Sequence, residues 1–329
     1  MRKLPFLLLI LTALASLPSM AICVLDTKPP YGGSPPVTMT IAPFTIRIDA
    51  DAPADRSLMI SEQKSTMGAL VSYECVPGDI YGKETQAPLG PTTQDKMFAT
   101  DIPGIEIRPI FSTGRATGRF PSTSKVSTGR VNFPATSSYS IEVYKTQKRL
   151  NLSNPAGDVV IGSGIIAYTW INTISPDTYS FRLQIGEIRI ISTPVCRLDG
   201  EKSVDFNIVS ATNVGNGVKR PLDFSLVCIT DYGNYTASAS LSTQTPTSDN
   251  AYIQVVDSAG NSDRLKIRVD DSNGNPLPVD ASRAEVKSNI ATDTPAKFTW
   301  NATLLRASGS ALPENGKFNA RAEIVLQVN

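Results

Sequence analysis

Residues 316–329 read G-K-F-N-A-R-A-E-I-V-L-Q-V-N. Phe318, Ala320, Ala322, Ile324, Leu326 and Val328 fall on one face of an extended chain. Lys317, Asn319, Arg321, Glu323 and Gln327 fall on the other, with Val325 as the exception. This alternation marks a half-buried β-strand. A strand in this position has no following hairpin partner. Unless earlier strands cover both its edges, it leaves an open row of backbone groups, which soluble proteins normally blunt or cover.

Working outward, the opposite end reads as a secretion signal over residues 1–21. Arg2 and Lys3 form a charged start, residues 4–17 are apolar, Pro18 breaks the run, and Ser19-Met20-Ala21 supplies small residues at the cleavage positions. The mature chain is expected to begin at Ile22. Lipidation of Cys23 is disfavoured because Ile22 precedes it, where Gly or Ala is required. About 300 mature residues suggest two domains. The four cysteines then pair by domain, Cys23 with Cys75 and Cys196 with Cys228. An even count in an exported chain favours disulfides over metal ligation.

Histidine is absent, which removes the commonest general base and the commonest metal ligand. No carboxylate spacing singles out a catalytic pair, so no enzyme, catalytic residue, metal or cofactor is expected. A net charge of +1 argues against a nucleic-acid partner.

No stretch after residue 22 reads as a helix. Strand-like runs recur at 37–48, 57–61, 69–75, 105–111, 139–144, 158–170 and 179–191. Further runs lie at 203–208, 222–229, 236–242, 252–256, 264–269 and 296–305. Turn chemistry separates them, as in Pro77-Gly78-Asp79, Asn154-Pro155-Ala156-Gly157 and Gly215-Asn216-Gly217. Many short strands at this spacing predict an all-β protein built as two β-sandwich domains in tandem.

The terminal segment, with Gly316 fourteenth from the end, resembles the β-zipper motif of subunits exported by the bacterial chaperone–usher pathway. Val328 stands where that family usually has an aromatic residue. From about residue 188 onward the chain resembles a pilin domain, on the Cys196/Cys228 spacing of 32, the F-S-L-V-C run at 224–228 and the terminal motif. The resemblance implies an incomplete immunoglobulin-like sandwich lacking its last strand. It also implies strand donation, first from a periplasmic chaperone and then from an adjacent fimbrial subunit, with export through an outer-membrane usher. The six alternating apolar residues from Phe318 to Val328 are then the face lining the donor-strand groove.

Residues 22–187 form an extra domain ahead of the pilin-like domain at 188–329, an arrangement that resembles the two-domain tip adhesins. Residues 97–111, M-F-A-T-D-I-P-G-I-E-I-R-P-I-F, are similar to a segment in the receptor-binding domains of type 1 and type 3 fimbrial adhesins, with Glu106 replacing a usual glycine. The resemblance implies an extracellular, fimbrial tip adhesin with a host glycan or matrix-protein receptor. The alternative is a non-adhesive minor subunit, a tip adaptor or assembly initiator, whose first domain is a spacer.

Three features are candidates for binding. Between residues 108 and 149 the charged residues are almost all basic, Arg108, Arg115, Arg119 and Arg130 among them, against Glu142 alone. Tyr168 and Trp170 share one strand face, from which aromatic rings can stack on sugars. The segments 77–86 and 87–95, rich in Pro, Gly and Thr, read as loops, where binding residues concentrate.

Overall fold

The computed structural model describes residues 22–31, 35–175, 177, 179–309 and 311–329. The leader expected over residues 1–21 lies outside the described residues.

The first half begins with β1 (Val24–Leu25), β2 (Val37–Ile41), β3 (Phe44–Asp49), β4 (Met59–Thr66), β5 (Val71–Glu74) and β6 (Ile80–Thr85). It continues through β7 (Phe98–Ala99), β8 (Ile105–Ser112), β9 (Thr117–Arg119), β10 (Ser122–Lys125) and β11 (Arg130–Phe133). The run closes with β12 (Ser138–Lys145), β13 (Asp158–Ile161), β14 (Gly164–Ile171), β15 (Tyr179–Ile185) and β16 (Ile188–Thr193). One sheet has the order β10-β6-β14-β15-β2 and another β4-β12-β8-β7, with β9 paired to β8. Smaller sheets, β1-β5-β11 and β13-β16-β3, complete the half. Ile107, Tyr139, Ile141, Phe181 and Leu183 are buried in one core between the sheets.

Two expected runs are broken at matched positions. The 37–48 run divides into β2 and β3 at Ala42-Pro43, and the 179–191 run into β15 and β16 at Gly186. β2 lies parallel to β15, and β3 parallel to β16, so both chains change sheets side by side. A Cβ on Gly186 would sit 2.4 Å from the Pro43 ring, so only glycine lets the two breaks nest. Because β16 is hydrogen-bonded to β3 and β13, residues 188–193 are held by the sheets of the first half.

The second half has β17 (Val195–Leu198), the short helix α1 (Ala211–Asn216), β18 (Val218–Ile229) and β19 (Asn234–Ser242). After these come β20 (Ile253–Val255), β21 (Leu265–Asp270), β22 (Asp280–Ala291), β23 (Pro295–Arg306) and β24 (Glu323–Val328). Its sheets are β17-β18-β23-β21-β20 and β22-β19-β24. The core between them centres on Phe224, Phe298 and Trp300. The two Phe rings stack 4.9 Å apart and the indole stands edge-on to Phe224. Trp300 Nε1 donates to Glu285 Oε2 at 2.6 Å, which satisfies the buried indole N–H.

Helix α1 was not expected from the sequence. Ser210 starts it as a capping residue, its Oγ accepting from Asn213 N–H at 3.2 Å. Gly217, at φ 85°, ends it. The strand expected at 203–208 does not form: no neighbouring strand pairs with it among the described residues. Both expected disulfides are present, Cys23–Cys75 in the first half and Cys196–Cys228 across β17 and β18 in the second. Among the described residues, no helix is long and apolar enough to cross a membrane.

Candidate functional site

The terminal strand is shorter than its apolar alternation. Asn319 makes an isolated antiparallel bridge to Val256, and β24 begins only at Glu323, opposite Ser242. Gly316 starts the segment at φ 137°, and a Cβ there would lie 2.6 Å from the Ser258 Cβ. Both the dihedral and the close approach demand glycine, which gives a physical reason for that residue fourteen positions from the end.

β24 pairs with β19 along one edge, and among the described residues no strand pairs with its other edge. Thr236 and Asn329 exchange both backbone hydrogen bonds, at 2.8 and 3.0 Å. In an antiparallel ladder these doubly bonded pairs alternate, so the N–H groups of Ile324, Leu326 and Val328 point to the open edge. Burial follows the same asymmetry. On β19, Tyr235, Ala237, Ala239 and Leu241 are fully buried, whereas Phe318, Ala322, Ile324, Leu326 and Val328 reach the same core only half-buried. Val204 and Leu222 are also half-buried against this core, and Phe206 packs 6.4 Å from the Phe318 ring.

Among the described residues the second sandwich is therefore short of one strand beside β24, where an unpaired backbone edge runs along half-buried apolar side chains. Ala320 departs from the expected inward face: it is exposed, because the segment from Asn319 to Ala322 is still crossing between the two sheets. It lines a cavity of about 200 Å³ with Ala322, Val256 and Thr243, next to the start of β24.

In the first half the binding candidates separate. Arg108 is paired with Glu142 at 2.7 Å and also donates to the Tyr144 hydroxyl. Arg130 pairs with Asp26 at 2.6 Å and Glu74 at 3.1 Å, with Tyr31 against its guanidinium. Both are held as structural cations, and the basic segment is not one continuous free surface. Arg115 and Arg119 are exposed. Trp170 is 1% exposed and Tyr168 5%, so neither ring offers a face to solvent. A Cβ on Gly82 would lie 2.6 Å from the Trp170 ring, which places the indole against Gly82 of β6. Glu106, where the resembling families have glycine, is buried and paired with Arg56 at 2.6 Å, and it accepts from Thr93 Oγ1 at 3.0 Å.

A pocket of about 250 Å³ went unnoticed in the sequence. Tyr81 and Lys83 reach it from β6, Phe111 from β8, residues 116–118 from the β8–β9 turn and β9, and Asn132 and Phe133 from β11. The segment 77–86 reads as a loop, yet most of it is β6, in which Tyr81 and Lys83 share a face. That i, i+2 spacing was the available signal.

Two sandwiches, the second one strand short, are the class this architecture defines. The family model described as "Fimbrial protein" matches residues 183–329. No curated protein matches the chain. Three solved structures are similar in outline. The receptor binding domain of the adhesin MrkD1P of Klebsiella pneumoniae is 16% identical, covering 47% of this chain and 90% of its own, with a TM-score of 0.38. The CupB6 tip adhesin from Pseudomonas aeruginosa is 13% identical, covering 93% and 94%, with a TM-score of 0.40. The CsuC–CsuE chaperone–tip adhesion subunit complex of Acinetobacter baumannii aligns at 10% identity over 88% and 99%, with a TM-score of 0.43. At TM-scores this low, the likenesses carry no argument about function.

Proposed function

We propose that the chain is a fimbrial tip adhesin. Its second sandwich docks into a fibre by accepting a strand from another polypeptide, and its first carries the receptor site. The observation behind this is β24, whose open edge and half-buried apolar row would be completed by one added extended strand. A periplasmic chaperone supplies that strand before export through an outer-membrane usher. The amino-terminal segment of an adjacent subunit replaces it in the assembled, extracellular fibre. The first sandwich then has no fibre role to fill and is free to meet a host glycan or matrix protein.

The pairing of β16 with β3 and β13 supports placing the join between the domains at Pro194, a few residues beyond the 187/188 division. Fimbriated cells carrying the chain with residues 22–187 removed test the reading. Fibres that still assemble but no longer attach support an adhesin. Unchanged attachment would make the first domain a spacer, the part expected of a tip adaptor or assembly initiator.

A further inference from the structure

The pocket in the first half has an unusual balance of groups. No carboxylate lines it, and Lys83 is its one ammonium. Lys83 Nζ lies 3.4 Å from Ser122 Oγ and 5.9 Å from the Phe111 ring centre, and no carboxylate stands within ion-pair distance among the described residues. Half-buried cations are ordinarily paired, because desolvating a charge costs free energy that a counter-charge offsets. Burial first, and then the Lys96 charge, pull the Lys83 pKa below the ordinary lysine value. An anion seated on Nζ would relieve both effects.

The other polar groups match a polyol. Tyr81 and Ser124 line the pocket as a cross-strand pair on the Lys83 side of the sheet, and neither hydroxyl has a hydrogen bond to another described residue. Gly118 has no Cβ, and one built there would lie 2.7 Å from Lys83 Nζ, so this glycine leaves room for the ammonium against β9. The volume is below the roughly 300–1,000 Å³ of drug-sized sites, which suits a single sugar ring.

We propose that this pocket binds one carboxylate-bearing monosaccharide unit of a host glycan, with Lys83 Nζ on the carboxylate and the hydroxyls of Tyr81 and Ser124 on the ring hydroxyls. The proposal rests on the adhesin reading and gives it a receptor chemistry. A sialic acid and a uronic acid share that chemistry, and the exposed Arg115 and Arg119 flank the pocket-lining segment in sequence, where they would favour an acidic glycan.

The test is calorimetric titration of the full mature chain with N-acetylneuraminic acid, glucuronic acid and glucose. At least one acid should bind saturably while glucose does not, and whichever acid binds identifies the source. Lys83→Gln should weaken that binding tenfold or more, Lys83→Arg should retain most of it, and Gly118→Val should abolish it by displacing the ammonium. An unchanged circular-dichroism melt for Lys83→Gln would show that the loss is local. Absence of binding by both acids, equal binding of glucose, or full affinity in Lys83→Gln would overturn the proposal. Attachment of fimbriated cells separates this failure from failure of the adhesin reading. If Lys83→Gln cells attach normally while cells lacking residues 22–187 do not, the receptor site lies elsewhere in the domain. If both attach normally, the adhesin reading itself is wrong.

Discussion

Ser192 Oγ donates to Asp231 Oδ2 at 2.7 Å, tying β16 to the turn between β18 and β19. The other carboxylate oxygen of Asp231 accepts from Leu150 N–H at 2.9 Å, and its carbonyl accepts from Leu152 N–H at 2.9 Å. Next to it, Ser192 N–H donates to the Tyr232 hydroxyl oxygen at 3.1 Å, and Tyr232 packs against the first core. Asp231 is 1% exposed, so one buried carboxylate from the second half satisfies groups on two separate segments of the first.

Asp231→Ala should cost about 1–3 kcal/mol, because it leaves a buried amide and a buried hydroxyl without partners. Asp231→Asn, which keeps the shape, should cost less. Calorimetric unfolding checks the consequence: the alanine variant should separate the transitions of the two halves relative to the parent chain. Coincident, unshifted transitions would show that Asp231 does not couple them.

Gly186→Ala should destabilise the first half by roughly 1–3 kcal/mol, the usual cost of overpacking. The added Cβ meets the Pro43 ring at 2.4 Å, and a proline ring, closed onto its own backbone, cannot swing aside as a long side chain can. Denaturant melts of the variant should show a lower midpoint with an unchanged slope.

Gly316→Ala should cost about 1–3 kcal/mol for a side chain forced into a sparsely populated backbone region. The effect should fall on the docking of the last strand, since Gly316 sets the start of that segment against Ser258. Limited proteolysis after residue 310 should therefore speed up more than global unfolding does.

Tyr144 supplies a pH dependence. Burial first, then its hydrogen bond to Glu142, push its pKa up to about 12. Folding therefore favours the neutral phenol. The stabilisation is complete below the ordinary tyrosine value of ~10 and is lost as pH rises through the folded value. Tyrosinate absorbance should show Tyr144 among the late-ionising groups, and Tyr144→Phe should remove that component of the titration.

Much of this was legible in the sequence because period-2 alternation reports one buried face. The terminal segment and β3 both carry it. What was missed had no such pattern. β22 is exposed along most of its length, D-A-S-R-A-E-V-K-S-N-I-A, so no apolar stripe marks it. It is held by its ladder to β19 and by Glu285 reaching Trp300. The run at 203–208 alternates as a strand does but finds no partner, since pairing is a tertiary property. Trp170 and Tyr168 looked like sugar platforms because alternation shows which face a residue occupies but not whether another layer covers that face. The pocket around Lys83 assembles from strands far apart in the chain, and only the shared face of Tyr81 and Lys83 hinted at it.

The most direct measurement is amide hydrogen exchange across residues 323–328, in the chain alone and with a synthetic peptide matching the strand-donating segment of a neighbouring subunit. In the chain alone, the amides of Ile324, Leu326 and Val328 should exchange rapidly while those of Glu323, Val325 and Gln327 are slowed by β19. Added peptide should slow the first set to the level of the second. Protection of Ile324, Leu326 and Val328 without any partner, or exchange that no donor strand alters, would contradict an open edge awaiting a strand from outside.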